Sequence, residues 1–262
     1  MKGDNPSLLL QDCDSKLSKW FASRPDARYV LRKEFIMPTE ITITAYKFNE
    51  LNDRAKEKAR AWYMEHCVND HEWWDSVVSE AKQKGADKGF DIEDIRFSGF
   101  WSQGDGAHWT GRIDMVAFLA NNLDESSAWY AEDVILLALW EDRSQWIDRY
   151  VRVSNRSYRY SHSGGMCIDE YANNVLDLDA DDDAVLGHGA LAGASIYQLK
   201  ESFDYEQRVN EWCDEALIQA KAYADDIYSQ LEKEYEWYTT DDYIACLSDA
   251  NDWLFNEKGE LL

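Results

Sequence analysis

The stretch FSGFWSQGDGAHWTG, residues 97–111, places Trp101 and Trp109 among four glycines and the polar Ser102, Gln103, Asp105 and His108. Two readings compete for it. One is a ligand or partner site, with Trp101 as a stacking surface and Ser102, Gln103, Asp105 and His108 as polar contacts. The other is a turn in which Gly99, Gly104 and Gly106 adopt conformations closed to other residues while the polar side chains satisfy the turn's own backbone groups. The structural turn is the better supported of the two. Asp105, His108 and a nearby Ser also have the residue types of a catalytic set, but such sets are defined by three-dimensional geometry and not by spacing.

A second candidate is DLDADDDA, residues 177–184, where Asp177, Asp179, Asp181 and Asp183 alternate as in the first half of a calcium loop. Such a loop needs Gly at its sixth position and a bidentate Glu at its twelfth. These positions hold Asp182 and His188, so a solvated acidic turn is the preferred reading. His66 and His71 flank Cys67 without the further ligands a zinc site requires, and HExxH, GxSxG, Walker A and GxGxxG patterns do not occur. The sequence points to binding more than to catalysis, and to no cofactor.

The third candidate is electrostatic. The chain carries a net charge of −24, and residues 201–262 hold 4 basic and 17 acidic side chains. Such a field repels nucleic acid and anionic membranes and draws in basic surfaces. Asp214, Glu215, Asp225, Asp226, Glu232 and Glu236 lie mostly off the apolar stripe of a long helix-forming segment. Carboxylates four residues apart on a helix project about 6 Å apart along its axis, close to the step between phosphates on a nucleic-acid strand. These six residues are therefore the candidate face for a basic partner, with DNA mimicry as one form of that idea. The Arg-rich stretch Arg149, Arg152, Arg156 and Arg159 is too limited for direct nucleic-acid binding. The clusters WW (73–74), FW (100–101), YEWY (235–238) and WLF (253–255) are better used in core packing or a protein interface.

The elements that must position these groups can be outlined. Residues 1–40 hold all three prolines and form an N-terminal extension, and Met37 offers an alternative start. ITITAYKF (41–48) alternates as a strand. Residues 50–66 form a helix capped by Asn52, with Leu51, Ala55, Ala59 and Trp62 inward, and residues 71–85 form a second helix ending at Gly85 or Gly89. Strands are expected over 91–100 and 108–120, then a helical segment within 125–149, then a hairpin of 150–162 with 166–171 through Ser163-Gly164-Gly165. From about Ser195 to Tyr238, Val209, Trp212, Ala216, Ala220, Tyr223, Ile227, Leu231 and Tyr235 recur at helical steps. A last helix spans 239–255, capped by Thr240.

The fold class is α+β: a mixed N-terminal part with a small antiparallel sheet and helices (41–194), and a long acidic helical part (195–262) on the same core. The five cysteines form no CxxC pair, which suggests a reducing compartment and free, mostly buried thiols. The longest apolar run, VILLALW (134–140), is far shorter than a membrane span. A cytoplasmic protein is expected.

Two blocks look familiar together. KFNELNDRAKEKARAWY (47–63), WWDSV (73–77) and FSGFWSQGDGA (97–107) form one; EKEYEWYTTDDYIACLSDANDWLFNEKGEL (232–261) forms the other. Both resemble an uncharacterised family of bacteriophage and prophage proteins, sometimes labelled antitoxin-like. That resemblance carries no catalytic residues, but it implies a phage protein acting in the host cytoplasm by binding a basic host protein or protein complex. The leading expectation is an inhibitor of a host nucleic-acid-binding or defence protein. An antitoxin neutralising a cognate toxin, and a ligand-binding or hydrolytic protein using residues 97–111, are the alternatives. Self-association is a further option.

Overall fold

The computed structural model describes residues 42–69, 73–143, 149–157, 161–169, 193 and 204–262. The chain divides at Ile43/Thr44, and everything below concerns the unit that begins at Thr44. Among the described residues, six α-helices and a four-stranded antiparallel sheet make it an α+β fold. The expected extension over 1–40, the acidic turn at 177–184 and most of 186–203 lie outside the described residues.

The first helix, α1 (Asp53–Tyr63), starts where expected: the Asn52 side chain accepts from Ala55 N at 3.0 Å. Ala55 and Ala59 are buried, but the third inward position is Tyr63 and Trp62 is only half-buried. A single wide turn, Met64–Val68, follows. Helix α2 (Asp75–Asp87) then buries Val77, Ala81 and Gly85, leaving Val78 partly exposed. Gly89, at φ +87°, is the left-handed residue that turns the chain into the sheet.

The sheet runs in the order β1 (Phe90–Phe97), β2 (Ala107–Asp114), β3 (Tyr150–Asn155), β4 (Met166–Asp169), all antiparallel neighbours. Its register pairs Arg96 with His108, Gly111 with Val153 and Asn155 with Met166. A bulge between Ile92 and Asp94 sits opposite Gly111, where a Cβ would collide with the Asp91 carbonyl oxygen. The hairpin of β3 with β4 forms as the glycines at 164 and 165 suggested.

Several expected elements differ from the structure. The described part of ITITAYKF, residues 42–48, forms no strand: only Tyr46 pairs, through a lone bridge to Phe255, while Thr44 and Ala45 are exposed. Alternation alone supplied no neighbouring strand to pair with. The strand expected over 108–120 stops at Asp114, whose carboxylate accepts from Val116 N and Ala117 N and so starts α3 (Met115–Asn122). The helical signal of 125–149 is α4 (Tyr130–Arg143), entered through a turn in which Asp124 accepts from Ser126 N.

The long helix α5 (Tyr205–Tyr238) is 34 residues, about 50 Å at 1.5 Å per residue, and Asp204 caps it by accepting from Gln207 N. The apolar stripe read from the sequence is the face it buries. Val209, Trp212, Ala216, Ala220, Tyr223, Ile227 and Leu231 are all buried, and Tyr235 at the end is half-buried. The alanines let β2 approach closely enough for fully buried Trp109 to donate from Nε1 to Ala220 O at 3.1 Å. Tyr223 Oη donates to Ala81 O at 2.7 Å, tying α5 to α2.

Helix α6 (Asp241–Ala250) starts at Thr240, whose hydroxyl accepts from Tyr243 N, and ends earlier than expected, because Asp252 turns left-handed at φ 53°. The segment beyond clasps the start of the unit. Phe255 exchanges two backbone hydrogen bonds with Tyr46, Trp253 stacks edge-on to Trp62, and Arg60 forms a bidentate pair with Asp241 at 2.5 and 2.8 Å.

Candidate functional site

The loop between β1 and β2 is closed at its base by Ser98 N donating to Gly106 O (3.0 Å) and Gly106 N donating to Ser98 Oγ (3.2 Å). Within it, Asp105 Oδ2 accepts from both Trp101 N (3.0 Å) and Ser102 N (2.6 Å). Gly104, at φ 103°, permits the reversal. Gly106 is needed for a different reason: a Cβ there would lie 2.6 Å from that of His162. Asp105 therefore acts as the turn's internal brace.

The loop is pinned to α5. Phe100 packs 5.4 Å from the Tyr228 ring and 5.2 Å from the Tyr235 ring, with Trp73 beneath, and Tyr228 Oη donates to Gly99 O at 2.9 Å. Trp101 touches Tyr235 edge-on at 5.3 Å, yet 77% of its surface is exposed. The WW, FW and YEWY clusters thus meet in one aromatic layer, whereas WLF packs elsewhere against Trp62 and Phe48. Tyr228 and Trp73 escaped the sequence-based site because nothing local links them to a loop more than a hundred and some twenty residues away, respectively.

His108 does not join Asp105 and Ser102. It lies on β2 opposite Arg96, is 7% exposed, and its Nδ1 meets no hydrogen-bond partner among the described residues. Burial first, and then the Arg96 charge, holds its pKa below the usual imidazole value, so it is neutral at physiological pH. Together with the commitment of Asp105 to backbone amides, this removes the geometry a catalytic set would need. Among the described residues no group of three or more His, Cys, Asp or Glu is placed to hold a metal ion.

The acidic candidates sit on α5. Asp214, Glu215, Asp225, Asp226 and Glu236 are exposed and Glu232 is half-buried. At 100° per residue, Asp214, Asp225, Glu232 and Glu236 point away from the buried stripe, and Glu215 and Asp226 flank them. Only Glu232 and Glu236 keep the four-residue, roughly 6 Å step; Asp225 is about 10 Å from Glu232 along the axis, and Asp214 about 16 Å from Asp225. Between those last two the face shows Ile218, 60% exposed, and Lys221. The carboxylates make a broad negative surface, not a ladder with the phosphate repeat. No ion pair involves Asp225, Glu232 or Glu236 among the described residues, whereas Asp133, Asp241, Asp249 and Glu260 are tied to Arg208, Arg60, Lys47 and Lys58.

The loop and the acidic face adjoin. Glu232 lies one helical turn from Tyr228, the residue that anchors Gly99, and Tyr228's own pKa is raised by burial first and then by Asp105 and Glu232. Of the basic stretch, Arg149 is paired with Asp114, Arg152 and Arg156 are exposed, and Arg159 lies outside the described residues. The hairpin register also brings three residues together that spacing did not flag: Ser154 Oγ donates to Asp169 Oδ1 at 2.6 Å and lies 3.3 Å from Cys167 Sγ. Of the four cysteines among the described residues, Cys213 is buried, Cys67 and Cys167 are half-buried and Cys246 is exposed, which differs from the expectation of mostly buried thiols.

Residues 73–241 match the family described as a domain of unknown function, DUF8835. The chain belongs to this family. Its matched span holds the sheet, the loop and all of α5, so both candidate surfaces lie within it, while α1 and most of the C-terminal clasp flank it. No curated protein and no solved structure matches the chain. No helix among the described residues is long and apolar enough to cross a membrane.

Proposed function

We propose that this DUF8835 protein is a phage-encoded acidic binder that inhibits a basic host protein, one that handles nucleic acid or takes part in defence. The observation that carries the reading is the outward face of α5, where Asp225, Glu232 and Glu236 are held on a rigid helix without an internal ion pair among the described residues. Carboxylates in that position keep their field available to an incoming cationic surface, and the net charge of −24 extends it. Any mimicry of DNA would be of its field, since among the six candidate carboxylates the phosphate step recurs only between Glu232 and Glu236. The inhibitor acts in the host cytoplasm.

The test is capture of host proteins on the immobilised chain at low and high salt, compared with a variant carrying Asp225→Asn, Asp226→Asn, Glu232→Gln and Glu236→Gln. The expected catch is a basic nucleic-acid-binding protein that is released by salt and lost with the variant. Equal capture by the variant at low salt would refute the acidic face as the binding surface.

A further inference from the structure

Among the large apolar side chains, Trp101 is exposed in a way its surroundings do not require. Its backbone amide and that of Ser102 are both fixed by Asp105, its neighbour Phe100 is packed into the aromatic layer, and its ring rests edge-on against Tyr235. The loop could have turned this indole inward with Phe100; instead 77% of it faces solvent from a braced position. A fixed, exposed Trp beside a binding surface has the character of an interface anchor, since such residues lose little side-chain freedom on association.

The surrounding charge selects the occupant. Nucleic-acid bases would bring phosphates against Asp105, Glu232 and Glu236, and an anionic lipid surface meets the same repulsion. A cage for a methylated ammonium needs several aromatic walls, and Trp101 presents one open face with Tyr235 at its edge. A guanidinium satisfies both features: it is planar, stacks on an indole face, and keeps its N–H groups directed sideways to carboxylates.

We infer that Trp101 is the arginine anchor of the acidic surface, stacking a guanidinium of the basic partner whose N–H groups are received by Glu232 on the adjoining face of α5. This rests on the binding role proposed for α5 and specifies the chemistry of its partner. The loop's brace then has a purpose beyond closing a turn: it holds the indole where the α5 carboxylates can share the same cation.

The experiment follows indole N–H resonances of the full chain as a nona-arginine peptide is added, with Trp101→Phe identifying the Trp101 signal. The expected result is a saturable shift of that signal, a dissociation constant raised about 3- to 10-fold in Trp101→Leu, and a smaller effect of the same substitution on nona-lysine. Trp101 lies on the surface and Trp101→Leu keeps an apolar side chain there, so folding is not at stake. An unshifted Trp101 signal, or equal affinity in Trp101→Leu, overturns the inference. So does a Trp101 shift that follows protein concentration without peptide, which would assign the face to a second copy of the chain. Binding unchanged in the quadruple charge variant overturns the α5 reading itself, while binding lost there but intact in Trp101→Leu removes only the anchor.

Discussion

Replacing Asp133 tests the packing of α5 where its charge chemistry is most demanding. Asp133, in the first turn of α4, has a side chain only 3% exposed. Its two oxygens accept from Arg208 Nε (2.6 Å) and Nη2 (2.8 Å), and Oδ1 also accepts from Trp212 Nε1 at 2.8 Å. Arg208, 16% exposed, reaches Glu211 Oε2 at 2.5 Å and lies over the Trp129 and Trp212 rings. Asp133→Ala leaves the guanidinium half-compensated and the indole N–H without its acceptor. Breaking a buried pair from one side costs about 3–5 kcal/mol, and the surviving Glu211 contact places this case near 3. A further kcal/mol or so follows from the orphaned indole donor. For a chain of this size the total of about 4 kcal/mol is a drop of about 8–16 °C in the unfolding midpoint. Thermal and urea unfolding followed by circular dichroism would measure it. Removing both charges, with Asp133→Leu and Arg208→Met, should recover at least half of the loss, because no charge is then stranded. A loss below about 1 kcal/mol in the alanine variant, or a double variant as unstable as the summed singles, would refute the reasoning.

Three other perturbations have defined outcomes. Gly259→Ala puts a Cβ at φ +80° against the Ala55 carbonyl oxygen; the left-handed backbone alone costs about 1–2 kcal/mol, and amide exchange should accelerate across residues 255–262 as the clasp opens. Leu231→Ala, fully buried in α5, should cost about 3 kcal/mol in urea unfolding, and a loss under 1 kcal/mol would contradict its place in the core. Glu234 has its pKa raised above 4.5 by burial, so protonation favours the folded state: that contribution is full below the unfolded pKa and disappears as pH rises through the folded one. Glu234→Gln should therefore melt higher than the parent chain at neutral pH and lose that advantage near about pH 4; a pH-independent difference would exclude the assignment.

Legibility followed the range of the interaction. The α5 stripe was visible because one face of one helix meets the core over eight turns, so burial is written at a fixed period. The Asn52 and Thr240 caps were visible because the side chain and the amide it serves lie three residues apart. Asp133 was not legible: it adjoins the apolar run VILLALW, and its burial depends on Arg208, 75 residues later. ITITAYKF failed as a strand because pairing needs a neighbour, which alternation cannot supply. Of the turn chemistry expected in the loop, Asp105 accepting from backbone amides and Gly104 at positive φ are found, while Gly99 and Gly106 are not left-handed, and the contacts with Tyr228 and Tyr235 lie beyond what local spacing can show.

By itself the sequence determined the α+β class, the long acidic helix, its buried face and the surplus of negative charge, all of which follow from local periodicity and composition. The tertiary structure decided that the loop and the acidic face form one surface and that Trp101 points outward while Phe100 points in. Those outcomes depend on which distant side chains fill the space around Phe100 and on the helical phase of residues 214–236, and packing selects them only once the whole chain is in place.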